Sequence, residues 1–198
     1  MLFQREDESD DENFYQSPRF STHIDDATID MLTQFYRETL SPGADILDLM
    51  SSWISHLPPE VHYGSVTGLG MNLEELKANP RLDSCLVQNL NRSQNLPFPD
   101  QQFDAVMIVV SVQYLTSPFT VFKEIGRVLK SNGICIVAMS HRLFPTKAIR
   151  AFQVLSSSDR GRLVATYMEQ SDQFVDIELI DRSPINADPL WIVQAQSR

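Results

Sequence analysis

Apolar runs and amphipathic stretches alternate along most of this chain. Compact apolar runs at 44–50 (ADILDLM), 64–70 (GSVTGLG), 84–90 (SCLVQNL), 103–112 (FDAVMIVVSV) and 134–140 (ICIVAMS) predict five strands, the fourth buried on both faces. Ile29, Leu32, Phe35 and Tyr36 form one apolar helix face, starting at Asp25 or Asp26 as cap and stopped by Ser41-Pro42-Gly43. Shorter helices are predicted over NLEELKAN and at 145–170, and an amphipathic one over SPFTVFKEIGRVLK, with Ser131-Asn132-Gly133 as its exit turn. Two further strands, FVDIELID and PLWIVQAQ, are joined too closely for a parallel crossover, so they pair antiparallel. The product is an α/β fold: a doubly wound, mostly parallel seven-stranded sheet with an antiparallel C-terminal strand and helices on both faces. Ligands of such sheets bind beyond the carboxyl ends of the strands, near the topological switch point.

At 198 residues, 42% hydrophobic and 21% charged, the chain fits one globular domain over 14–198, with 14–43 as a segment and helix over the site. The net charge of -10 concentrates in Glu6, Asp7, Glu8, Asp10, Asp11 and Glu12, so residues 1–13 are expected to form a solvated, flexible acidic tail. An acidic protein without a Lys/Arg cluster is a poor partner for nucleic acid. No run of eighteen apolar residues suggests a membrane span, and MLFQREDESDDENF lacks the pattern of a secretory signal; a cytoplasmic location is expected. Cys85 and Cys135 lie in predicted strands without metal or redox spacing and read as buried free thiols. His23 near Asp25 and Asp26 is better explained by helix capping than by a metal, and no metal site is expected. Neither a GxGxxG nor a phosphate-binding lysine motif is present, which disfavours dinucleotide enzymes and triphosphatases.

The segment LPFPDQQFDAV, followed by SVQYL, an amphipathic helix ending in RVLKSNG and a strand, resembles the class I S-adenosylmethionine-dependent methyltransferases, where LPFPDxxFDxV leads into the fourth strand and RVLKPGG precedes the fifth. Including ILDL, the resemblance covers roughly residues 44–195. DLMSSWISHLP, GLGMN, SVQYL and SHRLFPTKA are similar to a methyltransferase-like branch with the same first loop. It implies a Rossmann-like fold, S-adenosylmethionine as cofactor and, in the notation of this chain, a cofactor site of Asp48, Met50, Ser51 and Ser52 after the first strand, Gly70, Met71 and Asn72 after the second, Asn89 and Leu90 after the third, and Ser111 after the fourth.

The chain departs from the family at three points. The glycines of the DxGxGxG loop are replaced by Met50, Ser52 and Ile54; the ribose-binding acid after the second strand is absent, leaving Asn72 one contact; and Asn89 stands for the acid that binds the adenine amine. Ser51 and Ser52 hydroxyls are expected to hydrogen-bond a carboxylate instead. Tyr114 and His141 are the catalytic candidates, near strand ends, with Arg19, His23 and Arg142 on the side of a small-molecule acceptor; His56, Trp53 and Phe144 read as structural. The alternative is a non-enzymatic binding or regulatory module on this fold, its first loop plugged by Met50, Trp53 and Ile54. Sequence leaves the oligomeric state and the acceptor open.

Overall fold

The structure is a computed structural model describing residues 2–198. Seven strands, β1 (Asp45–Ser51), β2 (Ser65–Gly70), β3 (Ser84–Val87), β4 (Phe103–Val109), β5 (Leu129–Met139), β6 (Phe174–Asp181) and β7 (Trp191–Ser197), form one sheet in the order β3-β2-β1-β4-β5-β7-β6. The pairs from β3 to β5 are parallel, while β7 runs antiparallel to both β5 and β6. The last strand therefore inserts between β5 and β6, as the short β6–β7 connection requires.

Alternation along the central strands sorts side chains to two cores. Ile46, Ala105, Met107, Ile136 and Ala138 face Leu32, Phe35 and Tyr36 of α2 (Asp26–Thr39). Leu47, Leu49, Val106, Ile108, Cys135 and Val137 face the opposite layer. That layer holds α4 (Pro118–Val128) and α6 (Ser157–Ser171), following α3 (Leu73–Ala78) and a short α5 (Arg150–Val154) in the chain. Asp25 caps α2 by accepting from the Thr28 amide, the role its position predicts. The exit turn expected at Ser131-Asn132-Gly133 is instead part of β5, which begins at Leu129 and bends through Asn132 at φ 63°. Cys135 is buried; Cys85, on the edge strand, is only half-buried. Among the described residues no helix is long and apolar enough to cross a membrane.

The acidic segment differs from the expected solvated tail. Residues 2–24 form a strap across the carboxyl end of the sheet, with one short helix, α1 (Asp11–Phe14). The backbone amides of Arg150 and Ala151 donate to Gln4 and Leu2 carbonyls, and Asp7 donates to Thr146. Asp11 and Lys147 are buried. Arg5 meets Asp11 at 2.6 Å, and Lys147 Nζ lies 3.1 Å from Asp7 and 3.3 Å from Asp11 while donating to the Ser9 carbonyl at 2.7 Å. Glu6, Glu8, Asp10 and Glu12 stay exposed, as composition predicts, but Asp7 and Asp11 are drawn into ion pairs, with Arg5 of the strap and Lys147 from the far half of the chain. Lys147→Met is expected to leave Asp11 with a single cation and the Ser9 carbonyl without its donor, lowering stability by about 3 kcal/mol; urea denaturation measures the loss, and amide exchange should rise first over residues 7–15.

Candidate functional site

Below the strap, where β1 and β4 part to β2 on one side and β5 on the other, lies a cavity of about 330 Å³. Residues from every predicted loop line it: Met50, Ser51 and Ser52; Gly70, Met71 and Asn72; Asn89 and Leu90; Ser111 and Tyr114; and Arg19, His23 and Arg142. Two predicted site residues lie elsewhere. Asp48 is beneath the first loop, where it borders a smaller cavity of about 50 Å³. His141 does not line the main cavity: it is exposed, with Nε2 3.2 Å from the buried Asp188, so its strand-end position does not bring it to the site.

The first loop is tied down by carboxylates. Ser51 and Ser55 hydroxyls each donate to Asp48 at 2.6 Å, and Ser52 donates to Glu75 at 2.6 Å. The serine protons expected for a ligand carboxylate are thus committed to the protein. Burial pushes the Asp48 carboxyl up to about 6, with the two serine bonds opposing that rise. Met50, at the first glycine position, has φ 60°, the left-handed conformation that glycine tolerates best. Val110, the β-branched residue following β4, has φ 45° and is held by the hydrogen bond its N–H donates to the Ala138 carbonyl. Two strained residues thus flank the switch point. Gly70 is set by close approach: a Cβ there would lie 2.2 Å from the Ser51 carbonyl oxygen.

Asn72 cannot serve a ribose as expected. Its amide donates to the carbonyls of Tyr15 and Gln16, and its oxygen accepts from Glu74 and Glu75 amides as the cap of α3. The buried carboxylate of this wall is Glu75, which sequence reading passed over. It accepts from Ser52 and, at 2.7 Å, from the Arg19 amide. The available signal was an acid in the first turn of a helix following a strand that lacks its own. Asn89 accepts from Asn91, which in turn joins Asp11 and the Tyr114 carbonyl.

On the far side, Tyr114 stacks on Phe144 and its hydroxyl accepts from the Phe144 amide at 2.9 Å. Burial raises its pKa, so the phenol stays protonated and forms a wall. His23 packs edge-on against Phe144 while part of it stays open to the cavity; burial of its packed face holds its pKa below the ordinary value, leaving a neutral imidazole at pH 7. His56 borders only the small cavity, and burial lowers its pKa to about 4, with His23 adding to the effect. The Ser111 hydroxyl is buried without a hydrogen-bond partner among the described residues. Trp53 packs against Phe20 and donates to the Ser21 carbonyl, and with Ile54 borders the small cavity, so neither side chain plugs the large one.

A methyltransferase-domain family model matches residues 52–137. None of the curated proteins matches the chain by sequence. Among solved structures of the same fold are an S-adenosylmethionine-dependent methyltransferase from Mesorhizobium loti (13% identity, 85% of this chain and 99% of that one, TM-score 0.61) and phosphoethanolamine N-methyltransferase 2 of Haemonchus contortus bound to S-adenosyl-L-methionine (14%, 85% and 52%, 0.61). The [4+2]-cyclase SpnF also shares it (16%, 85% and 81%, 0.62). The sheet order is that of these methyltransferase structures, and the family-model match over residues 52–137 supports kinship of this chain with the class I S-adenosylmethionine-dependent methyltransferase superfamily.

Two outcomes follow from the loop. Met50→Gly is expected to change stability by no more than about 1 kcal/mol, whereas Met50→Val, β-branched at positive φ, loses about 1–2 kcal/mol in thermal unfolding. Because the folded Asp48 carboxyl titrates at about 6 and the unfolded one at 3.8, the folded state holds the extra proton between those values. Stability from this group is present below the unfolded value and is lost as pH rises through 6, a change of about 3 kcal/mol at most. Asp48→Asn is expected to remove that slope, read from urea midpoints of both proteins between pH 4 and 7.

Proposed function

We propose that the cavity binds S-adenosylmethionine and that the protein transfers its methyl group to a small-molecule acceptor entering beside the strap. The observation carrying this reading is the open cavity at the β1–β4 switch point in a chain whose first loop has lost its glycines. Its size suits a small-molecule site, and the larger loop side chains leave it unfilled. That disfavours the plugged, non-enzymatic alternative.

The residues present fit the cofactor with a rebuilt set of contacts. Asn89 and Leu90, between the third strand and the strap, fit an adenine; Glu75, with lone pairs beyond its two bonds, fits the ribose wall; Met50 to Ser52 and Ser111 border the methionine end. Asp48 acts from below, by fixing Ser51 and Ser55. When bound, the cofactor supplies an already activated methyl group, so the protein needs only to orient the acceptor and receive a proton. Neutral His23, open to the cavity, can take that proton at a ring nitrogen, a role Tyr114 and His141 do not fill.

Titration calorimetry of the full chain with S-adenosylmethionine and S-adenosylhomocysteine tests the reading. The expected result is micromolar binding of both, about -8 kcal/mol; absence of heat at millimolar ligand overturns it.

A further inference from the structure

Two arginines border the cavity, and they differ in one respect. Arg142 is paired, its Nε 2.9 Å from Asp188. Arg19 takes part in no ion pair among the described residues. Its one side-chain hydrogen bond runs from Nη2 to the Phe14 carbonyl at 2.8 Å, and Nη1 is buried without a partner. The guanidinium is instead held between aromatic faces, 4.5 Å from the Phe14 ring centroid and 5.5 Å from that of Phe144, with Tyr15 at 5.7 Å. Its backbone is fixed by Glu75. A cation so placed keeps its charge and a rigid fork of donors, the geometry that recognises planar oxyanions.

The neighbouring groups sharpen the point. The Ser51 and Ser52 hydroxyl protons are committed to Asp48 and Glu75, and the cations Arg5 and Lys147 to Asp7 and Asp11. A ligand oxyanion entering this cavity therefore meets one uncommitted cation. We infer that Arg19, carried on the strap, is the anchor for a carboxylate or phosphate group of the small molecule held beneath it. The aromatic faces beside it suit a ligand with an apolar or aromatic body. The inference rests on the small-molecule reading above but not on which ligand carries the anion.

Arg19→Met and Arg19→Lys in the full chain test it, each first checked for an unchanged melting temperature. S-adenosylhomocysteine is compared with 5′-methylthioadenosine, which lacks the amino-acid tail. Benzoate against benzamide, and phenyl phosphate against phenol, are titrated with and without S-adenosylhomocysteine. The expected loss in Arg19→Met is about tenfold or more for the anionic ligand and none for its neutral counterpart, with Arg19→Lys between. Loss for S-adenosylhomocysteine alone assigns the anion to the cofactor's tail; loss for benzoate or phenyl phosphate alone assigns it to the acceptor. Equal binding by wild type and Arg19→Met throughout, or no preference of wild type for any anionic member, overturns the inference. If wild type binds neither adenosine compound, the methyltransferase reading fails, and the anionic probes on the free protein still decide the role of Arg19.

Discussion

Everything at the functional end of this molecule depends on the parallel pairing of β1 with β4. The two strands are neighbours in register, Ile46 beside Ala105 and Leu49 beside Ile108, yet the chain leaves them in opposite directions. Their following loops cannot cover the gap that opens between them, so a concavity forms where backbone amides and strand-end side chains are close but not paired to each other. Met50 and Val110, both at positive φ, are the residues at which the chain turns away on either side. The cost of those conformations is borne by a sheet buried on both faces.

The second organising feature is the strap. It spans the concavity from the α5 end, through the Asp11–Lys147 cluster and the Asn72 amide, to the cap of α2. Each attachment uses a polar group whose burial would be costly alone and is tolerable only because it is paired. The same groups define the cavity's character: Asp11 and Glu75 are neutralised or bonded, whereas Arg19 projects a charge balanced by aromatic faces.

The Met50-Ser51-Ser52 loop is held by side-chain bonds while leaving a cavity of about 330 Å³ beside it. Flexible backbone is exchanged for side-chain bonds to two buried carboxylates, Asp48 and Glu75. One of these carries a raised pKa because burial outweighs the serine bonds. Asn72 loses its expected ligand role for the same reason: its four hydrogen bonds already join the strap to α3.

Strand positions, helix faces, the reversed last strand and the strand-end loops were legible from the order of apolar runs, because period and connection length act locally. Thirteen of the fifteen residues singled out in those loops and the N-terminal segment border one cavity. Local pattern did not reveal which polar groups are already spent. That Ser51, Ser52 and Asn72 bond to protein, that His141 lies against the buried Asp188, and that Glu75 faces the cavity depend on partners 3 to 57 residues away. The acidic run shows the difference most clearly. Composition marks it as solvated, which holds for four of its six acids, whereas Asp11 becomes a buried wall of the cavity through Arg5, Asn91 and the distant Lys147. Backbone periodicity is decided by neighbours in sequence, whereas the partner of a buried charge is decided by which side chains the completed fold brings within a few ångströms.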